Sequence, residues 1–179
     1  MPVSINGQTG AVTGLAALPD SAMSSGSIIQ VVQTVKKDSF STNTYNNFVE
    51  ITGLNATITP TASTNKLLIQ VDLTWNAEAN IIFQGKLYDG STEITGANGT
   101  GGSSINAWFA SYNKASTSAI AGGQINHLTH SYLHQVSDTN SHTYKLYANG
   151  QSSTFYINRR YENTDARSTS IFTIMEVAA

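Results

Sequence analysis

Lys66-Leu67-Leu68-Ile69-Gln70-Val71-Asp72-Leu73-Thr74-Trp75 is the stretch on which the fold turns. Its odd positions, Leu67, Ile69, Val71, Leu73 and Trp75, are all apolar, and Lys66, Gln70, Asp72 and Thr74 hold even positions. Side chains two apart share one face of a strand, so this pattern predicts a strand with one side in a core and the other in a wetter place. Thr59 to Asn65 read as a loop before it and Asn76 to Asn80 as a turn after it. The expectation is the central strand of a β-sandwich.

Working outward, further strand signals appear on both sides. Ser27 to Lys36 is rich in β-branched residues, with Ile29, Val31 and Val35 on one side and Ile28 and Val32 on the other. A strand apolar on both sides is covered twice, by a core and by something else. Phe48 to Thr52 reads as a short strand broken by Gly53, after which Leu54, Ala56 and Ile58 alternate with polar residues. Ile81 to Tyr88 is another strand, and Asp89-Gly90 predicts a tight turn into Thr92 to Ile94. Thr95 to Ser104 is glycine-rich, but no helix and no Lys-Ser/Thr pair follows, so it is a loop rather than a phosphate cradle. Ile105 to Tyr112, Gln124 to Val136, His142 to Ala148, the stretch around Phe155 and Ile157, and Thr169 to Val177 complete the set, with Asn149-Gly150 as a hairpin turn. Helical periodicity is nowhere sustained, and turn signals recur about every ten residues. The predicted fold is all-β, a jelly-roll-like antiparallel β-sandwich over residues 27–179.

Residues 1–26 have a different texture. Large apolar residues are scattered, with Val3, Ile5, Val12, Leu15 and Leu18 the main ones. Such a segment cannot bury enough surface to fold alone. It predicts an extended arm that orders on a partner through those five residues. Extended, it reaches roughly 80 Å.

Composition excludes several classes. Only 11% of the 179 residues are charged and the net charge is −2, with no basic run longer than two residues. Nucleic-acid binding is therefore not expected. Cysteine is absent, so stability must come from burial or assembly. No stretch approaches the roughly 18 apolar residues of a helical membrane span, and the first residues lack the charged start and apolar run of a secretory leader. Synthesis and assembly in a cytoplasm are expected.

Two segments carry a resemblance. INGQTGAVTGL at 5–15 resembles a segment recurrent in bacteriophage tail-fibre and other virion proteins. GSIIQVVQTVKKDSFSTNTYNNFVEITGLNATITPTASTNKLLIQV at 26–71 is similar to a module of phage structural proteins, notably those of aquatic and cyanobacterial hosts, and the last strand, Ser170 to Val177, also fits. The resemblance implies a jelly-roll knob, often trimeric, at a virion surface, and brings no catalytic motif.

The remaining candidates are weighed on their chemistry. Ile28, Val32, Ile82, Phe172 and Ile174 are apolar on second faces beyond what one sandwich core needs, which marks them as candidates for a homotrimer interface. Trp108, Tyr112 and Tyr132 are candidates for stacking on a host surface glycan. His127, His130 and His134 would share a face on a helix, but on a strand His130 and His134 share one and His127 points away. No carboxylate lies at ligand spacing nearby, so neither a metal nor a cofactor is expected. No Gly-x-Ser-x-Gly elbow and no paired acidic motif is present. The leading expectation is a non-enzymatic capsid decoration or cement protein, a trimer whose arm contacts the major capsid protein or another virion protein. A short tail fibre or receptor-binding tip that recognises glycans is the alternative. A free lectin or enzyme is a third, under which the arm has no role.

Overall fold

The computed structural model describes residues 4–5, 12–13, 23–44, 47–78, 80–102, 105–114, 124–151, 153–161 and 167–179. Among them are thirteen strands, a single 3-10 turn at Thr95–Ala97 and no α-helix. The strands are β1 (Ser4–Ile5), β2 (Val12–Thr13), β3 (Ile28–Lys36), β4 (Phe40–Thr42), β5 (Val49–Ile58), β6 (Lys66–Ala77), β7 (Ile81–Asp89), β8 (Thr92–Glu93), β9 (Phe109–Asn113), β10 (Asn126–Gln135), β11 (His142–Gly150), β12 (Phe155–Ile157) and β13 (Ser170–Val177). Among the described residues no helix is long and apolar enough to cross a membrane.

Eight strands pair in a nested order. β3 pairs with β13, β5 with β11, β6 with β10 and β7 with β9, all antiparallel. The chain is thus one long two-stranded ribbon, with the glycine-rich stretch after β8 at its tip. Folding the ribbon over adds β13–β6 and β11–β7 pairings. Two sheets result, ordered β3-β13-β6-β10 and β5-β11-β7-β9, which is the jelly-roll arrangement. The short β12 continues alongside the far end of β6 and carries β4 with it. β6 is central, as its alternation predicts, with neighbours on both edges.

Alternation sets the core. Leu67, Ile69, Val71, Leu73 and Trp75 of β6 are completely buried, together with Ile51, Leu54, Phe83, Leu87, Leu146, Phe155, Phe172 and Ile174. Fully burying each such side chain contributes about 1.5–3 kcal/mol. Trp75 stacks on Phe83 across the two sheets at 4.6 Å between ring centroids. Gly85 is required opposite Phe109, because a Cβ there would overlap that ring.

Three local expectations are corrected. Gly53 does not end a strand: β5 runs from Val49 through Ile58, Gly53 sits at φ 78°, and the pairing with β11 shifts register there. The irregularity is a bulge, which glycine accommodates. Asn149 and Gly150 are not a hairpin turn but the end of β11, paired with Gln84 and Phe83. The chain there passes from one sheet to the other, so no hairpin closes. In β3, Ile28 pairs with Val177 while Gln30 pairs with Glu176, leaving Ile29 as an extra residue. That bulge moves Ile28 onto the same side as Val31 and Val35.

Candidate functional site

The outer face of the β3-β13-β6-β10 sheet is the most distinctive surface. Cross-strand registers build it in rows. One row is Val31, Met175, Leu68 and Leu133, apolar across all four strands. The next is Gln33, Thr173, Gln70 and Ser131, within which Gln33 Nε2 donates to Thr173 Oγ1 at 3.1 Å. Flanking rows bring Val35 and Ile171 to Asp72 and Thr129, and Ile28 and Val177 to Lys66 and Gln135. Ile28, Val31, Val35 and Leu133 are 52%, 55%, 42% and 48% exposed. An exposed apolar row that crosses four strands makes this face the candidate interaction surface.

The interface candidates divide on this geometry. Ile28 lies on the outer face. Ile82 is half-buried on the outer side of the other sheet, paired with Tyr112. Phe172 and Ile174 are corrected: both are fully buried in the core, and Val32, paired with Ile174, packs against it. The central strand needs inward partners from β13, so the even positions of β13 turn in. The odd ones, Ile171, Met175 and Val177, take the outer face.

The arm candidates are placed only in part. Ile5 pairs with Val12 and Ser4 with Thr13 in a short antiparallel ladder. Val3, Leu15 and Leu18 lie outside the described residues. Where the expected arm meets the sandwich, main-chain bonds run from Gly26 N–H to Ala178 O and from Ala178 N–H to Ser27 O, both 2.9 Å. Beside it the buried Glu176 accepts hydrogen bonds from Thr61, Asn65 and Gln30. Burial alone raises the Glu176 pKa, but the bonds from Asn65, Gln30 and Thr61 outweigh it and hold the carboxyl below its ordinary value.

The glycan candidates do not converge. Trp108 is a core residue, 4% exposed. Tyr112 is half exposed on the outer side of β9, its hydroxyl donating to Asn80 Oδ1 at 3.0 Å. Tyr132 is half-buried on β10 and lines a groove of about 600 Å³ with Asp89, Glu93, His134, Asp138 and His142.

The histidines of β10 alternate as the strand reading predicts. His127 Nε2 lies 3.2 Å from Asp72 Oδ1 on β6, a carboxylate distant in sequence and brought close by the sheet. His130 packs edge-on to Trp108, and His134 edge-on to Tyr144. Burial lowers the His134 pKa; Asp89 opposes that and His142 reinforces it. Among the described residues no cluster of His, Asp and Glu is placed to hold a metal ion.

Sequence reasoning passed over His142. Its Nδ1 is 2.6 Å from Asp89 Oδ2 and its Nε2 is 3.1 Å from Asp138 Oδ1. With a carboxylate at each nitrogen, the ring is satisfied fully only as the doubly protonated cation. It therefore has no nitrogen left to take a proton from a nucleophile, unlike the histidine of a catalytic triad. Burial lowers its pKa, but Asp89 and then Asp138 outweigh burial and raise it above 6.5. The Asp138-to-His142 spacing, four residues around a turn, was the available signal. Because the folded pKa is raised, the clamp's contribution is complete below the unfolded value and is lost as pH rises through the folded one. The melting-temperature difference between the parent chain and His142→Gln should therefore shrink from about pH 6 to about pH 9. A constant difference would show that the clamp is not an ion pair.

No family model matches the chain, and no curated protein does. Several solved structures are similar to it. One is the infectious bursal disease virus VP2 subviral particle, at 17% identity and a TM-score of 0.42 over 84% of this chain and 38% of that one. Another is infectious bursal disease virus, Gx strain, at 13% identity and a TM-score of 0.39 over 100% of this chain and 42% of that one. A third is dimeric latent PorU from Porphyromonas gingivalis, at 11% identity and a TM-score of 0.40 over 87% of this chain and 14% of that one. The chain thus spans less than half the length of each of these three.

Proposed function

We propose that the chain is a non-enzymatic structural protein of a bacteriophage virion surface. In this reading it is a homotrimeric decoration or cement protein, held to the major capsid protein or a neighbouring virion protein through residues 1–26. The observation that carries the reading is the outer face, with the apolar Val31-Met175-Leu68-Leu133 row, Ile28 in the row next to it and Val35 beyond the polar Gln33 row. A solitary molecule gains nothing from holding these side chains in water. Covering them gains about 25 cal/mol per Å² of apolar surface. Closed symmetry lets one patch serve every copy. The arm is rooted beside this face, at Gly26 and Ala178, so a trimer gathers three arms at one end and binds with avidity. The two phage-like segments supply the setting.

The short tail fibre or receptor-binding tip is the weaker reading. Trp108 is in the core, and Tyr112 and Tyr132 sit on different sheets, so they form no common stacking platform.

Val31→Glu tests the proposal. Val31 is exposed, so the variant should fold with a melting temperature near that of the parent, while sedimentation shows the three-fold species lost. A parent chain that never forms a three-fold species overturns the trimer. Labelled protein absent from purified particles overturns the virion assignment.

A further inference from the structure

We propose that the free edge of β10 is a second, separate seam, along which another copy of this chain pairs antiparallel across a two-fold axis. Among the described residues β10 is hydrogen-bonded on one side only, to β6, in an unbroken register from Asn126↔Trp75 to Gln135↔Lys66. Among the described residues nothing pairs with its other edge, where alternate residues of the ten-residue strand present main-chain N–H and C=O groups.

Unpaired edges attract strands, and proteins guard them with bulges, charges, prolines or brevity. The other edges here are guarded. β3 has its bulge at Ile29 and ends in Lys36. β5 is interrupted at Gly53 and carries Glu50. β9 is five residues long and β4 three. β10 has none of these devices: it is long, unbulged, free of proline, and contains no Asp, Glu, Lys or Arg.

The sequence of β10 suits a copy of itself. Without fixed charges, two copies approach with no like-charge cost. Nine residues paired antiparallel supply about nine main-chain hydrogen bonds, close to the number a typical stable interface carries. Residues directly opposite share a face, so the axis must fall on a residue rather than between two. With the axis at His130, Leu128 meets the partner's Tyr132 on the inner side, and Thr129 meets the partner's Ser131 on the outer side. The two sheets then join into one continuous sheet. Combined with the three-fold contact on the outer face, a two-fold seam along the edge extends an assembly in two dimensions, which is the geometry a shell requires.

Charge placed on His130 tests this. His130 sits at the axis, opposite its own copy, and its exposed side chain is on the inner side of β10, away from the outer rows, so His130→Lys and His130→Glu should each fold. The parent chain should form species larger than a trimer by sedimentation, whereas His130→Lys alone should associate several-fold more weakly along the seam, because like charges then lie directly opposite. Mixing His130→Lys with His130→Glu should restore the larger species. Val31→Glu should leave two-fold dimers intact, so failure of the seam and failure of the three-fold contact are read separately. A parent chain without two-fold species, a His130→Lys variant that sediments like the parent, or a mixture that fails to recombine overturns the proposal.

Discussion

Phe83→Ala should destabilise the fold by about 4 kcal/mol, the middle of the range for emptying an aromatic core site. The reason is where the ring sits. Phe83 belongs to β7 but is completely buried against the other sheet. Its ring stacks on Trp75 of β6 at 4.6 Å, lies 5.1 Å from Phe155 of β12 and 5.7 Å from Phe109 of β9. Removing it breaks three aromatic pairs, each contributing about 0.5–1.5 kcal/mol beyond area burial. The strands that line the cavity are fixed by main-chain ladders and cannot collapse into it. Phe83→Leu should lose roughly half as much, because it refills most of the volume. Tyr112→Ala, a comparable truncation on the exposed outer side of β9, should cost about 0.5 kcal/mol or less. Urea unfolding followed by tryptophan fluorescence measures all three, since Trp75 reports the site directly. A loss below about 1.5 kcal/mol for Phe83→Ala would mean that the two sheets are not locked by this cluster.

Period-two alternation made the strands legible, and its failures are local. The β6 pattern predicted the central strand because that strand is buried on one face and paired on both edges. Gly53 read as a break because a glycine followed by a new alternation looks the same whether a strand stops or bulges. Only the partner strand, β11, distinguishes the two. The same limit misassigned Ile28, whose side follows from the extra residue at Ile29. It also misassigned Phe172 and Ile174: β13 carries large apolar residues on both faces, so alternation could not choose its inner one. The register with Ile69 and Val71 of β6 does. His142 went unread because one of its two carboxylates, Asp89, is 53 residues away. The exposed row on the outer face was half legible, in the apolar second faces of β3 and β13. Its width across four strands was not, because lateral neighbours are set by folding of the ribbon and leave no periodic trace.

Glu176→Ala should cost about 3–5 kcal/mol, and the loss should depend on pH. Glu176 Oε1 accepts from Thr61 N–H at 2.7 Å, from Thr61 Oγ1 at 2.8 Å and from Asn65 Nδ2 at 2.8 Å. Its Oε2 accepts from Gln30 Nε2 at 2.5 Å. Truncation removes the shared acceptor: Gln30 Nε2 keeps Thr59 O and Asn65 Nδ2 keeps Thr61 Oγ1, but the Thr61 donors and the second Asn65 proton lose theirs, at about 1–3 kcal/mol for each that stays dry. Glu176→Gln retains one acceptor oxygen for Thr61 and Asn65 and should cost roughly half as much. The folded pKa lies below the unfolded value of 4.5, so the carboxylate's contribution is complete above that value and falls away as pH drops through the folded pKa. Stability of the parent chain should therefore approach that of Glu176→Gln in acid, and equal gaps at neutral and acid pH would show that the charge is not what matters. The position gives the effect a second consequence. Asn65, held by Glu176 through its amide nitrogen, uses its own oxygen to accept from Ala179 N–H at 3.2 Å. Ala178 beside it carries both main-chain bonds to the arm root. Loss of the carboxylate should therefore speed hydrogen exchange at Gly26 and Ala178 before the core opens, and should weaken attachment through the arm while leaving the Val31-Met175-Leu68-Leu133 face intact. Attachment lost together with that face would instead mean that the whole sandwich had opened, and that the arm is not anchored by this network.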